Sequence, residues 1–301
     1  MYKQISSNKR NTWIILVFFV VLFLGIGYVF GFAYSGDKQY ALSTMGVFGA
    51  AAILYATISY YSAGALTLSI AHAKKIKKRE HLELYRVVEN LAIASGIPTP
   101  KIYLIDDTAL NAFATGRDPK HASVAITKGL LDKLDKSELE GVMAHELSHI
   151  KNYDIRLQCI TVALIGLIVL VSDIFLRNMF YGRRSSQSNS KIKIILLVVG
   201  IVLAVLSPLI AKIMHLAISR QREYLADASG ALLTRYPKGL ASALQKISTD
   251  KEPLEVANKA TAHMYIENPL RNEKGMKWLN KLFSTHPPVN KRINRLKTMG
   301  I

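Results

Sequence analysis

From Trp13 to Tyr34 the chain carries no charged side chain. As a helix this run is about 33 Å long, enough to cross the roughly 30 Å hydrocarbon core of a bilayer. No water is available in lipid to hydrogen-bond the peptide groups, so such a segment has to be helical. A second uncharged stretch, 39 to 73, follows the turn Ser35-Gly36-Asp37-Lys38 and is rich in the small residues that let helices pack closely in lipid. Lys3, Lys9 and Arg10 precede the first run, and Lys74, Lys75, Lys77, Lys78 and Arg79 close the second. Basic flanks mark the cytoplasmic side, which predicts a membrane hairpin with spans at about 13–34 and 41–73 and both ends inside. A cleaved signal peptide is the alternative for the first run, but the run is too long and lacks a small-residue cleavage site before the next apolar stretch.

Half of the residues are hydrophobic and the mean hydropathy is positive, as suits a chain lying partly in lipid. The net charge of +18, from 39 basic and 21 acidic residues, makes nucleic acid the first partner to test. No nucleic-acid fold signature is present, and the basic residues cluster beside the apolar runs, where anionic lipid is the better partner. The single cysteine, Cys159, can form no intrachain disulfide and calls for no oxidising compartment. Two further apolar runs, Leu157 to Val171 and Ile194 to Ala211, predict a third and a fourth span at about 157–176 and 194–214. A basic loop separates them, and Pro208 should kink the last.

Between the second and third runs, residues 80–96 read as an amphipathic helix with Leu82, Tyr85, Val88, Leu91 and Ile93 apolar. Three strands follow at 101–106, 111–116 and 122–127, separated by turn residues. This small sheet leads into a helix starting at Ser137, with Leu139, Val142, Met143, Leu147 and Ile150 as its buried stripe. The helix contains His145-Glu146-Leu147-Ser148-His149. His145 and His149 share one face and can reach one ion, while Glu146 points beside it and can take a proton from water. The bland alternative is an amphipathic helix with two histidines, although buried histidines would still need partners. Beyond the fourth run, Glu223 and Asp227 stand four residues apart. A catalytic zinc site uses three ligands and one open position, and Glu223 is the best third ligand. Asp227 would accept a hydrogen bond from a ligand imidazole. Without the upstream motif the pair would read as a solvated helix face. His286 and Arg292 either stabilise an oxyanion or are a loop histidine and a solvated arginine. Asn111 reads as a polar residue at a strand end.

Asn-Ala-Phe-Ala-Thr-Gly at 111–116, His-Glu-Leu-Ser-His at 145–149, Arg-Glu-Tyr-Leu-Ala-Asp at 222–227, Thr-His-Pro-Pro with Arg292, and the two pairs of spans together resemble the HtpX family. These are membrane-bound zinc endopeptidases of heat-shock quality control, related to the CAAX prenyl endopeptidases. The resemblance covers nearly the whole length. It implies one Zn2+ per subunit held by His145, His149 and Glu223, with Glu146 as catalytic base. It also implies a substrate-binding edge strand at Asn111, Ala112, Phe113 and Ala114, with His286 and Arg292 assisting at the tetrahedral intermediate. Misfolded or damaged membrane proteins would be cut at the cytoplasmic face of the cell membrane. The implied partners are those substrates and the bilayer, not nucleic acid, and no oligomeric state follows.

The expected fold is a mainly α integral membrane protein with four transmembrane helices and a zincin-type α+β catalytic domain. Its parts would be an N-terminal hairpin (1–79), a first catalytic half (80–156), a second hairpin (157–214) and a second catalytic half (215–301). A CAAX-type prenyl-protein endopeptidase would use the same chemistry, but four spans are too few for a large enclosed chamber. A non-catalytic membrane scaffold could bind zinc through the same ligands, but would have no need of Glu146.

Overall fold

The structure, a computed structural model, describes residues 2–164, 167, 200, 220–250, 252–255, 261, 264–267 and 287–300. Two helices, α1 (Tyr2–Ser35) and α2 (Lys38–Ile70), form an antiparallel hairpin, and both are long and apolar enough to cross a membrane. Ile14, Val17, Val21, Ile53, Leu54 and Ile58 stay exposed on their outer faces, which is what contact with lipid requires. Asp37 starts α2, its carboxylate accepting from the Tyr40 amide at 2.7 Å. The seam is made by small residues. A Cβ on Gly27 would lie 2.7 Å from that of Phe48, and the Thr44 hydroxyl donates across the seam to the Gly27 carbonyl at 3.0 Å.

The chain passes from α2 into a four-stranded sheet ordered β1-β2-β4-β3. Strand β1 (Lys74–Lys75) pairs antiparallel with β2 (Lys101–Ile105), which runs parallel to β4 (Ala122–Thr127). Strand β3 (Ala112–Gly116) lies antiparallel to β4 and forms the outer edge, with Asn111 just before it. The three expected strands are present, and β1 is an addition. Two exposed lysines carry no apolar alternation to reveal a strand, yet lysine is a common edge-strand residue.

Helix α3 (Leu82–Ser95) ends at Gly96, whose φ of 70° lies in the left-handed region glycine tolerates. It buries Leu84, Val87, Val88, Leu91 and Ala92, whereas Leu82 and Ile93 of the expected apolar set are exposed because they fall off that stripe. After a short α4 (Lys128–Lys133), the central helix α5 (Lys136–Lys151) begins one residue before the expected Ser137 start. Asp135 is its cap: Asp135 Oδ1 accepts from the Glu138 amide, and Glu138 Oε2 accepts from the Asp135 amide, both at 2.9 Å. Apart from Glu140, every residue from Glu138 to Ile150 is buried. Helix α5 is wrapped by α3, β3, α6 (Arg220–Thr234) and α7 (Pro237–Thr249), and α8 (Val289–Lys297) packs on α6 and α7. Glycines permit the closest approaches: a Cβ on Gly230 of α6 would sit 3.0 Å from the His145 nitrogen.

Residues 154–164 are helical. Leu157, Ile160 and Leu164 pack against Ile15, Leu16, Phe19, Ala52 and Ala56 of the hairpin, and the Tyr55 hydroxyl donates to the Ala163 carbonyl at 2.8 Å. This is the beginning of the expected third span. Nearly all the rest of that run and of the fourth lies outside the described residues, which therefore contain two helices of membrane length rather than four.

Candidate metal centre

Helix α5 presents His145 and His149 one turn apart, and α6, lying against the His145 backbone through Gly230, brings up Glu223 and Asp227. The two Nε2 atoms face each other at 3.2 Å. One Glu223 oxygen lies 3.7 Å from His145 Nε2 and the other 3.6 Å from His149 Nε2. Ligand atoms of these three buried residues all fall within 4.8 Å of one another. Two nitrogens on one tetrahedral zinc, at about 2.05 Å each, would be about 3.3 Å apart, so the donor set fits that ion.

Each histidine is backed by a carboxylate. Asp227 Oδ1 lies 3.0 Å from His145 Nδ1, and Asp154 Oδ2 lies 3.0 Å from His149 Nδ1. A carboxylate behind Nδ1 turns Nε2 toward a ligand. Asp227 is gripped by Arg292, whose Nε and Nη2 donate to its two oxygens at 2.9 and 2.8 Å. Arg292 also donates through Nη1 to the Ile266 carbonyl at 2.9 Å, and it is fully buried rather than solvated. Its Nη2 also lies 3.4 Å from His145 Nε2 and its Nη1 3.7 Å from a Glu223 oxygen, so the guanidinium reaches the ligand atoms as well as Asp227 and Ile266. His286 lies outside the described residues.

Around the histidines stand four buried carboxylates, Glu146, Asp154, Glu223 and Asp227, against two buried arginines, Arg222 and Arg292. With all of these ionised and the imidazoles neutral, the surplus is two negative charges, which a divalent cation would balance. Burial alone would lower the His149 pKa, but Asp154, Glu223 and Glu146 outweigh it and raise it to about 9. Burial would raise the Asp227 carboxyl, yet Arg292 and His145 bring it down to about 2. For Glu146 burial wins and its pKa is raised, although the histidines and the Ala114 amide, which donates to it, pull the other way.

Residues 78–300, more than half of the chain, match the model of "Peptidase family M48". The chain belongs to that family. Within M48 it is an HtpX-family member: it is 46% identical over 301 residues to a "Protease HtpX homolog" of Dictyoglomus turgidum, covering 99% of this chain and 95% of the relative. A "Protease HtpX homolog" of Tropheryma whipplei is 44% identical, covering 100% and 99%, and one of Ligilactobacillus salivarius is 42% identical, covering 99% and 100%. A similar fold is seen in a solved structure titled "Crystal Structure of S. mikatae Ste24p". The two share 20% identity with a TM-score of 0.50, covering 98% of this chain and 67% of that one.

This M48 chain is a membrane metalloprotease, and β3 borders its histidine pair. Ala112 and Ala114 turn their peptide groups away from β4: the Ala112 carbonyl accepts from the Ile266 amide at 3.0 Å, and the Ala114 amide faces Glu146. Asn111 spends its side chain locally, accepting from the Ala112 amide and donating to the Glu267 carbonyl, both at 3.1 Å. Phe113 meets Tyr265 edge-on. Sequence reasoning missed Asp154. It also missed Asn8, whose Nδ2 donates to Asp154 Oδ1 at 2.6 Å and to the Asn152 carbonyl at 2.8 Å. A carboxylate five residues after the second histidine was a usable signal; nothing in the pattern points from Asn8 to the site.

Proposed function

We propose that this metalloprotease is a zinc endopeptidase that cuts misfolded or damaged membrane proteins at the cytoplasmic surface of the cell membrane. The observation carrying this reading is the pair of Nε2 atoms 3.2 Å apart, each imidazole backed by a carboxylate, with both Glu223 oxygens beside them and Glu146 buried alongside. His145, His149 and Glu223 would hold the ion, and zinc, when bound, supplies Lewis acidity for a carbonyl and for water.

The remaining chemistry belongs to side chains. Glu146 accepts a proton from the attacking water and returns it to the departing amide nitrogen; burial already raises its pKa toward the range such a shuttle needs. Asp227 and Asp154 fix the imidazole tautomers, and Arg292 holds Asp227 in place. An extended substrate would lie along β3 near Ala114, where backbone recognition grips unfolded segments with little side-chain selectivity. That tolerance suits a quality-control enzyme. Cytoplasmic sidedness rests on the basic residues at both ends of the hairpin, and the proposed parts remain the hairpins 1–79 and 157–214 and the catalytic halves 80–156 and 215–301.

The test is zinc analysis and cleavage of casein or an unfolded membrane protein by detergent-purified protein beside its Glu146→Gln variant. Removing a general base should lower the rate by about a hundredfold or more while zinc content stays the same. Cleavage by the variant at the original rate would reject the mechanism.

A further inference from the structure

A cavity of about 190 Å³ lies away from His145 and His149, between the end of α2, the sheet and the 154–164 helix. Its polar wall is made by Tyr60, Tyr61, Lys101, Arg117, His121 and Arg156. Ala63, Leu68 and Ile160 form the apolar side. The volume far exceeds the roughly 15 Å³ that one water needs.

The charges are set for an anion. Arg117 lies 5.2 Å from the Tyr61 ring centroid, and Arg156 lies 5.5 Å from that of Tyr60 and 4.9 Å from that of Tyr153. Arg156 Nε also donates to the Arg117 carbonyl. Both guanidinium groups are thereby ordered before any ligand arrives, which lowers the entropic cost of binding. Asp118 is the nearby carboxylate, held by Arg117 at 3.5 Å and by His121 at 2.8 Å. Among the described residues, neither Lys101 nor Arg156 has a carboxylate partner. Two cations thus remain uncompensated around one cavity.

Depth decides what the anion is attached to. In the hairpin, Gly27 meets Met45 and Phe48, Gly49 meets Leu24, and the Phe19 ring centroid lies 5.9 Å from that of Tyr55. Carrying that antiparallel register onward brings Trp13 level with Tyr60 and Tyr61, and Lys9 and Arg10 about one turn beyond. Aromatic residues at the end of a span, followed by basic ones, mark the headgroup layer of a bilayer. The cavity therefore opens where lipid phosphates lie, with its apolar side continuing from the span.

We infer that this cavity binds the phosphate of an anionic membrane lipid headgroup. Thr115 and Gly116, at the end of β3, also line it, so the bound lipid would rest against the same strand that borders Glu146. The lipid would set the catalytic domain on the membrane surface.

Native mass spectrometry of the delipidated full-length protein in detergent tests this by titration with phosphatidylglycerol, phosphatidylcholine and inorganic phosphate. The wild type should bind one phosphatidylglycerol at least tenfold more tightly than phosphatidylcholine. At roughly fivefold per charge, Lys101→Gln/Arg156→Gln should weaken phosphatidylglycerol about thirtyfold and leave phosphatidylcholine unchanged. Lys133→Gln/Lys136→Gln, an equal charge change at two exposed sites on α4 and α5, should change neither. If the double variant does not fold, Lys101→Glu, on an exposed side chain, must still weaken phosphatidylglycerol. Undiminished phosphatidylglycerol affinity in the variants overturns the proposal. So does displacement of the lipid by inorganic phosphate at equal concentration, which would assign the cavity to the free ion.

Discussion

At the scale of the residue, the two histidines are alike in their ring partners and unlike in what supports them. Asp227, behind His145, is locked by Arg292 from α8, whereas Asp154, behind His149, is held by Asn8 from the membrane hairpin. Asp154→Asn should therefore weaken zinc retention about 10–100-fold in chelator competition, the usual effect of losing a residue behind a ligand imidazole. Asn8→Ala should shift retention in the same direction by less, although it lies far from the motif in sequence. A pH dependence follows from the same contacts. With its pKa raised to about 9, His149 is an imidazolium in the metal-free protein at neutral pH and has to lose that proton to ligate. Below about pH 9 the apparent zinc affinity should thus rise about tenfold for each unit of pH, and Asp154→Asn should flatten the slope. Equal affinities at pH 7 and pH 8 would exclude the coupling. The ligand residues were legible because helical spacing alone puts 145 with 149 and 223 with 227 on common faces. Asp227 was legible as the carboxylate behind an imidazole and Arg292 as a candidate at the site, but Asn8 and the grip of Arg292 on Asp227 were not, because they arise only through tertiary packing.

At the scale of the element, α5 was readable from its apolar stripe, and its true start shows how the reading slipped. Ser137 is a good capping residue, but Asp135 with Glu138 forms a reciprocal pair that stabilises the earlier start. Glu138 is further held by Lys246 and Ser242 of α7, at 2.6 and 2.7 Å. β1 and the true buried face of α3 escaped for a related reason: short charged edges and helices with apolar residues on several sides give weak periodicity. The contact that assembles the site is the crossing of α5 and α6 at Gly230. A Cβ there would meet the His145 nitrogen at 3.0 Å and the Ala144 carbonyl carbon at 3.2 Å, so a branched side chain has to push α6 away. Gly230→Val should cost about 1–3 kcal/mol of stability by overpacking and, because α6 carries Glu223, should lower zinc content more than Gly230→Ala does. Thermal unfolding and metal analysis of the two variants check this. Full zinc occupancy in a destabilised Gly230→Val protein would mean that the crossing does not position the ligand.

At the scale of the whole molecule, both ends of the hairpin meet the catalytic part: α2 leads straight into β1, while Asn8 of α1 bonds to Asp154 and the Lys9 ammonium lies 4.4 Å from the Tyr153 ring centroid. The α1–α2 turn is therefore the far end, and an even number of crossings is needed before Glu223 can rejoin His149. Four crossings are expected, since 157–164 already packs along the hairpin. Single cysteines at Lys38, Lys120 and Ser186, in a Cys159→Ser background, test the arrangement with an impermeant maleimide on intact cells. Lys38 caps the outer end, Lys120 is exposed on the catalytic part, and Ser186 lies in sequence between the two later apolar runs. Labelling at 38 and 186, with 120 reached only after permeabilisation, is the outcome for four spans and a cytoplasmic active site. Labelling at 120 before permeabilisation would reverse the sidedness. Protection at 186 with labelling at 38 would leave the hairpin as the only full crossing, and the zinc ligands would then be joined by a segment that enters and leaves the same face.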